Sequence, residues 1–211
     1  MSSLTPSDSN APLLIFGAGG HARVLCDSAL LGRRWNSIVA SDRKLPLNQS
    51  ELLPGIRLLT AEAALELNPA VHIAIGNNQD RQKEAGAWGH DRLVSVVHPS
   101  AVVSGFSHIA SGCFVAAGAV IGPMAQIGMG VIINHGAVVD HDVEIGAFSH
   151  IAPNAALGGH VKIGQRVLIG AGAVVLPSIM VGDDITVGAG AVVHEHLTEP
   201  GIYAGIPARR I

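Results

Sequence analysis

From Val97 onward an aliphatic residue returns at every sixth position, without interruption, as far as Val193. All seventeen of these positions are Val, Ile or Leu, and all but Leu157 are β-branched. The residue after each is often small or turn-forming, as at Gly122, Gly128, Asn134 and Asp140, and the residue four after is often Ala or Ser, as at Ala101, Ala119, Ala137 and Ser149. A period of six with one inward aliphatic per unit is neither an amphipathic helix nor a single long strand. It predicts a prism of short parallel strands, each strand followed by a sharp corner. Three units make one coil of eighteen residues, so seventeen units give between five and six coils. At ~4.8 Å per coil the column stands roughly 25–30 Å tall. One coil cannot bury its own aliphatics, so stability comes from stacking.

The chain before Val97 follows a different rhythm. Leu13-Leu14-Ile15-Phe16 reads as a buried strand, Ile38-Val39-Ala40 as a second, and Val71-His72-Ile73-Ala74-Ile75 as a third. Helical spacing covers residues 22–31, 61–67 and 79–88, with Thr60 as an N-cap. Strands alternating with helices predict a small α/β domain with a parallel, Rossmann-like sheet. The expected organisation is a disordered polar leader over 1–10, an α/β domain over 11–92 and the solenoid with a C-terminal cap over 93–211.

Composition narrows the functional classes. The chain of 211 residues is 48% hydrophobic yet only 3% aromatic, with 26 glycines, which suits regular packing of small aliphatic side chains. A net charge of −3 with neutral histidines gives no basic footprint for nucleic acid. No apolar run is long enough for a membrane span and the N-terminus lacks a signal-peptide pattern, so a cytoplasmic protein is expected. Cys26 and Cys113 have no metal-type spacing.

Ligands of parallel α/β sheets bind beyond the carboxyl ends of the strands. Three segments fall there: Gly17, Gly19, Gly20 and His21; Asp42 with Arg43; and Gly76 with Asn77 and Asn78. The glycine turn opens a helix, whose N–H groups suit a phosphate. With about 80 residues the domain is short for a dinucleotide, so a mononucleotide or nucleotide sugar is the expected ligand. In the solenoid, Asp140-His141-Asp142 falls at a corner, where side chains leave the coil. A His beside carboxylates is held in one tautomer and made more basic, as a general base requires. Asn134 and His135 precede it by one unit, and His150 follows by half a coil, so His141 and His150 meet only across a corner or between subunits. Pro and Gly close the column ahead of Arg209 and Arg210, which offer charge for phosphates.

Four stretches together, Phe16-Gly17-Ala18-Gly19-Gly20-His21, Ala74-Ile75-Gly76-Asn77-Asn78, Asp140-His141-Asp142 with Phe148-Ser149-His150, and Gly205-Ile206-Pro207-Ala208-Arg209, resemble the hexapeptide-repeat acyltransferases of the NeuD/PglD-like sugar O/N-acetyltransferase family. The resemblance spans residues 12–211. It is closest to the N-acetyltransferases of nucleotide-linked 4-amino-4,6-dideoxy sugars, of the UDP-bacillosamine-precursor or GDP-perosamine type. It implies a left-handed parallel β-helix, whereas the general crossover rule alone would give the right hand. It also implies acetyl-CoA as cosubstrate, no metal, and a homotrimer with active sites between subunits. By position His141 would be the base and Asp142 its orienting acid, here Asp where relatives often have Glu. Gly17, Gly19, Gly20, His21, Asp42, Arg43, Gly76, Asn77 and Asn134 would contact the nucleotide sugar, with Arg43 standing where an Asp-Asp pair is common. His150 would lie near the thioester, and Gly158, Gly159, Gly170 and Arg209 along coenzyme A. Three other readings stay open: O-acetylation of sialic acid, a zinc enzyme of the γ-carbonic anhydrase type using His135, His141, His150 and His160, and a non-enzymatic scaffold or nucleotide-sugar binder.

Overall fold

The computed structural model describes residues 11–45 and 49–211; the stretch 1–10 expected to be a leader lies outside the described residues. Four consecutive apolar residues need cover on both faces, and β1 (Leu13–Phe16) accordingly runs through the sheet interior. Its neighbours are β2 (Ile38–Ser41) and β5 (Ala70–Ile73), both parallel to it. Leu13 and Ile15 face α1 (Gly20–Gly32) through Ala22, Leu25 and Ala29. Leu14 and Phe16 face the other layer, where α2 (Ala61–Glu66) brings Ala64 and α3 (Asn78–Trp88) brings Ala85. Thr60 caps α2 as expected, its Oγ1 accepting from Ala63 N at 3.3 Å.

One feature departs from the sequence reading. A hairpin of β3 (Glu51–Leu53) and β4 (Ile56–Leu59) extends the sheet beyond β2, turning at Pro54-Gly55, so the order is β3-β4-β2-β1-β5. Gly55 adopts a φ of 82°, the left-handed conformation such a tight turn needs. Where the chain passes into the solenoid, Leu93 bridges Val71 in parallel and Val94 N donates to Val71 O at 2.9 Å, so this passage lies along the sheet edge.

The solenoid is a three-sided column with a register of eighteen residues, Val120 pairing with Val138 and Val138 with Ala156. The inward aliphatics form one continuous core from Val115 to Val193, with Val97, Val103 and Ile109 partly covered at the open end. Tyr203 and Ala208 close the other end beneath the short antiparallel pair Gly201–Ala204 and Arg209–Arg210. Most hexapeptides contain a corner residue with positive φ. Glycine holds many of these positions, but Met124, Asp142, Phe148, Asn154, His160, Arg166, Ser178 and Asp184 are not glycine. Left-handed backbone costs an L-residue roughly 1–2 kcal/mol. Hydrogen bonds between stacked corners offset it, as in Asp142 N to Pro123 O and His160 N to His141 O, both 3.1 Å. Close stacking also explains glycines on the coil walls: a Cβ on Gly146 would lie 2.5 Å from the carbonyl carbon of Gly164 in the next coil.

The three faces differ in what they present. The docking face, which includes Phe114–Val115, Ile132–Ile133 and His150–Ile151, carries the α/β domain, with Phe114 and Ile132 packed among Leu25, Cys26 and Ala22. The apolar face turns Val102, Val120 and Val138 outward, 63%, 36% and 40% exposed. The polar face turns out His108, Gln126, Glu144 and Lys162. No helix among the described residues is long and apolar enough to cross a membrane.

The α/β domain is tied to its face by Arg81, which is only 1% exposed. Its Nε donates to Gly130 O at 2.8 Å and its Nη1 to Ile75 O and Gly76 O at 2.9 and 3.0 Å. Its Nη2 reaches Asn78 Oδ1, Phe148 O and Ser149 O at 2.8, 2.7 and 3.3 Å. Asn78 adds Nδ2 donations to Arg166 O and Val167 O at 3.0 and 3.1 Å. Replacing Arg81 by Met strands these buried carbonyls, each worth about 1–3 kcal/mol when unsatisfied. Arg81→Met should therefore lose at least about 3 kcal/mol in urea unfolding, and Arg81→Lys, lacking the planar fork, should recover little of it. A loss below 1 kcal/mol in Arg81→Met would show that the guanidinium does not hold the two parts together.

Candidate active site

The corner between the apolar and polar faces carries the first cluster. Asp140 Oδ1 accepts from His141 N at 2.7 Å and so braces the turn. His141 Nδ1 lies 2.8 Å from Asp142 Oδ2, and both side chains are open to solvent. That hydrogen bond is the main reason the His141 pKa is raised above its ordinary value. With Nδ1–H donated to Asp142, Nε2 keeps its lone pair. One coil onward, eighteen residues away, the position equivalent to His141 is Gly159. A Cβ there would lie 2.6 Å from His141 Nε2 and Cε1, so the glycine leaves the slot the imidazole occupies. The position equivalent to Asp142 is His160, whose ring meets His141 edge-on at 5.2 Å between centroids.

The corner between the docking and apolar faces carries the second cluster. Asn134 Nδ2 donates to His150 Nε2 at 3.1 Å, and Asn134 Oδ1 accepts from His135 N at 2.9 Å. His150 also bonds the Gly76 backbone, which assigns its proton to Nδ1. His21, on the first turn of α1, stands edge-on to Phe114 at 5.5 Å, and its Nε2 is buried with no partner among the described residues. Burial, with the Arg81 charge adding to it, lowers His21 to about 4 and His150 to about 3. His72, held at 2.8 Å from Val94 O, is lowered to about 4 chiefly by burial.

The glycine turn divides in two. Gly17, at φ 127°, is sterically required, since a Cβ would lie 2.7 Å from Ala74 O. A Cβ on Gly19, Gly20 or Gly76 would meet nothing within 4 Å, so their backbone faces open space. Asp42 Oδ2 accepts from Ala18 N at 2.8 Å and shapes the turn. Arg43 grips Glu84 at 2.6 and 3.0 Å, and Asn77 caps α3 by accepting from Asp80 N at 3.0 Å. Gly158 packs on Pro177 and Gly170 on the Gly188-Ala189 turn, so stacking alone accounts for both glycines. Arg209 pairs with Glu195 at 2.6 Å. The polar face holds an open groove of about 590 Å³ floored by Gly128, Gly146 and Gly164.

The structure thus brings His141, Asp142 and Gly159 together at one edge of the apolar face. It brings His21, Asn134, His150 and Gly76 together at the other edge. Sequence reasoning missed Arg81 and, although it named Asn78 beside Gly76 and Asn77, missed the bonds by which Asn78 docks on the column; the signal for both is that α3 has almost no apolar stripe and must bury polar side chains. It also missed the pairing of His160 with Asp142, which eighteen-residue spacing encodes.

Residues 12–86 match the model of the PglD N-terminal domain, and residues 160–195 match that of the hexapeptide repeat of succinyl-transferase. No curated protein sequence matches the chain. Among solved structures, the acetyltransferase domain of PglB from Neisseria gonorrhoeae FA1090 is 32% identical, with 96% of this chain and 100% of that one covered at a TM-score of 0.88. The chain belongs to the PglD-like family of hexapeptide-repeat acetyltransferases. The PglB domain has also been solved in complex with acetyl coenzyme A. PerB from Caulobacter crescentus, solved in complex with CoA and GDP-perosamine, is 36% identical, with 95% and 97% of the two chains covered and a TM-score of 0.85. WeeI from Acinetobacter baumannii AYE, at 24% identity with 94% and 99% covered and a TM-score of 0.85, shares the fold. The chain of this PglD-like acyltransferase is accordingly a small α/β domain followed by a left-handed β-helix.

The buried histidines make this family member acid-sensitive. A histidine near pKa 4 when folded and 6.5 when unfolded takes up its proton mainly on unfolding. Stability from these groups is complete above pH 6.5, falls as pH drops from 6.5 to about 4, and levels off below. For His72 the loss is on the order of 3 kcal/mol. Urea midpoints measured from pH 7 to pH 4 at fixed protein concentration should fall steadily, with a shallower slope in His72→Gln. Identical slopes for the two proteins would contradict this account.

Proposed function

We propose that the chain transfers the acetyl group of acetyl-CoA to the 4-amino group of a nucleotide-linked 4-amino-4,6-dideoxy sugar, UDP- or GDP-linked, with His141 as general base. The observation that carries this reading is the His141–Asp142 pair at 2.8 Å, with Nε2 free at an open edge. The neutral amine attacks the thioester carbonyl carbon. His141 Nε2 takes the amine proton as the C–N bond forms, and Asp142 steadies the imidazolium. Collapse of the tetrahedral intermediate breaks the C–S bond, and the thiolate takes the proton back from His141. The Gly159 N–H is suited to the oxyanion. Its neighbours Gly158 N and His160 N are engaged by Val175 O and His141 O, whereas Gly159 N has no partner among the described residues. The nucleotide part sits over the open backbone of Gly19, Gly20 and Gly76, with α1 turning its N-terminal N–H groups to the diphosphate. The groove on the polar face suits the pantetheine arm.

The two clusters lie on opposite edges of one face, which supports a homotrimer. Three columns with Val102, Val120 and Val138 turned to a common axis bury that apolar face. They also set the His141 edge of one chain beside the Asn134–His150 edge of the next. The setting is surface glycan or glycoprotein biosynthesis in the cytoplasm.

Thiol release from acetyl-CoA should be rapid with one member of a panel of UDP- and GDP-linked 4-amino-4,6-dideoxy sugars. It should fall ~10²–10⁴-fold in His141→Ala. Turnover only with free sialic acid would replace N- by O-acetylation, and undiminished turnover in His141→Ala would remove the base. Sharing of the site is tested separately. His141→Ala and Gly19→Glu chains, each inactive alone, should regain activity when co-assembled, because some sites then receive both intact halves. No recovery would place both halves in one chain.

A further inference from the structure

His141, Asp142 and His160 each offer one metal-ligating atom within 4.8 Å of the other two. Asp142 Oδ2 stands between the imidazoles, 2.8 Å from His141 Nδ1 and 3.8 Å from His160 Nε2. The rings meet edge to face, at 88°, and do not stack on each other. Ligands bound to Zn²⁺ at about 2.0–2.2 Å stand roughly 3.3 Å apart in a tetrahedron. Rotation of three solvent-exposed side chains is enough to close the set to that spacing. Both Asp142 and His160 occupy left-handed corner positions of adjacent coils, with φ of 57° and 60°, and that stacking fixes their backbones relative to each other.

We propose that His141, Asp142 and His160 form a Zn²⁺ site that switches the transferase off. Two imidazoles and one carboxylate favour zinc over the oxygen-seeking Mg²⁺ and Ca²⁺. Three protein ligands leave a coordination position for water and an open approach, so binding is reversible. The inhibition follows from the tautomer. Zinc takes the Nδ1 lone pair of His141, which moves the ring proton to Nε2. The nitrogen that must accept the amine proton then has no lone pair, and Asp142 is withdrawn into the metal shell. This effect on turnover rests on the general-base reading above, whereas the binding itself does not.

Chelator-treated protein titrated with Zn²⁺ against a chromogenic chelator should bind one ion per chain at this site. Transferase activity should fall in parallel and return on addition of EDTA. His160→Ala removes one imidazole ligand and should weaken both zinc binding and inhibition at least tenfold, the inhibition being read relative to the variant's own metal-free turnover. His196→Ala, at the far end of the column, should leave both unchanged. Zinc binding and inhibition unaffected by His160→Ala, or no zinc bound by the wild-type chain, would overturn the proposal. If no acceptor is turned over, the function reading fails, and the binding titration still decides the site.

Discussion

The structure depends on a guanidinium buried without a carboxylate. Removing a cation from water is expensive, and a lone buried ammonium would shed its proton. Arg81 avoids this because its fork meets five carbonyl oxygens and the Asn78 amide at once. These acceptors come from both sides of the junction: residues 75–78 of the α/β domain, and Gly130, Phe148 and Ser149 of two successive coils. A planar group with fixed donor directions sets distance and orientation together, which apolar contact through Phe114 and Ile132 alone would not. The open backbone of Gly76 is thereby held at the edge where Asn134 and His150 emerge. The position of the α/β domain, and so of everything it presents to a ligand, follows from this one side chain.

The column imposes the second constraint. Every eighteen residues the chain passes the same corner, so chemistry at one level is conditioned by the residue stacked above it. His141 needs an empty slot, and its coil equivalent is Gly159. Asp142 needs to project outward, and the left-handed corner conformation does this at the cost of local strain. Inserting one residue between 142 and 159 would shift the register, putting Gly159 where His160 stacks on Asp142 and Lys162 at the inward position stacked on Ile145. The uninterrupted period is therefore a condition of the site as well as of the core.

Much of this was legible in the sequence. The period of six gave the column and its corners. The apolar run at residues 13–16 gave a buried strand, because only a strand covered on both faces tolerates four such residues in a row. Asp140-His141-Asp142 stood out because polar residues at a corner leave the coil. The β3–β4 hairpin was not legible: Pro54-Gly55 signals a turn, but its flanks are too short to alternate clearly. Gly17 and Gly19 look equivalent in sequence, and only the approach of Ala74 O separates a packing glycine from an exposed one. Arg81 was hidden for a different reason. A charged residue in a polar helix reads as solvated, and the carbonyls that receive it lie 49 to 68 residues away.

Histidine shows how far environment divides one residue type. At the exposed corner Asp142 raises the basicity of His141. Away from that corner His21 and His150 are held neutral, first by burial and then by the positive charge of Arg81, and His72 chiefly by burial. The group that docks the domain thus adds to the burial that keeps these rings uncharged. With those pKa values at about 3–4, His21, His72 and His150 stay neutral between pH 5 and pH 8, and the hydrogen bonds they make do not change over that range. A neutral His150 can accept from Asn134, which a protonated ring could not. Docking and protonation are therefore linked, and this edge is defined before any ligand arrives.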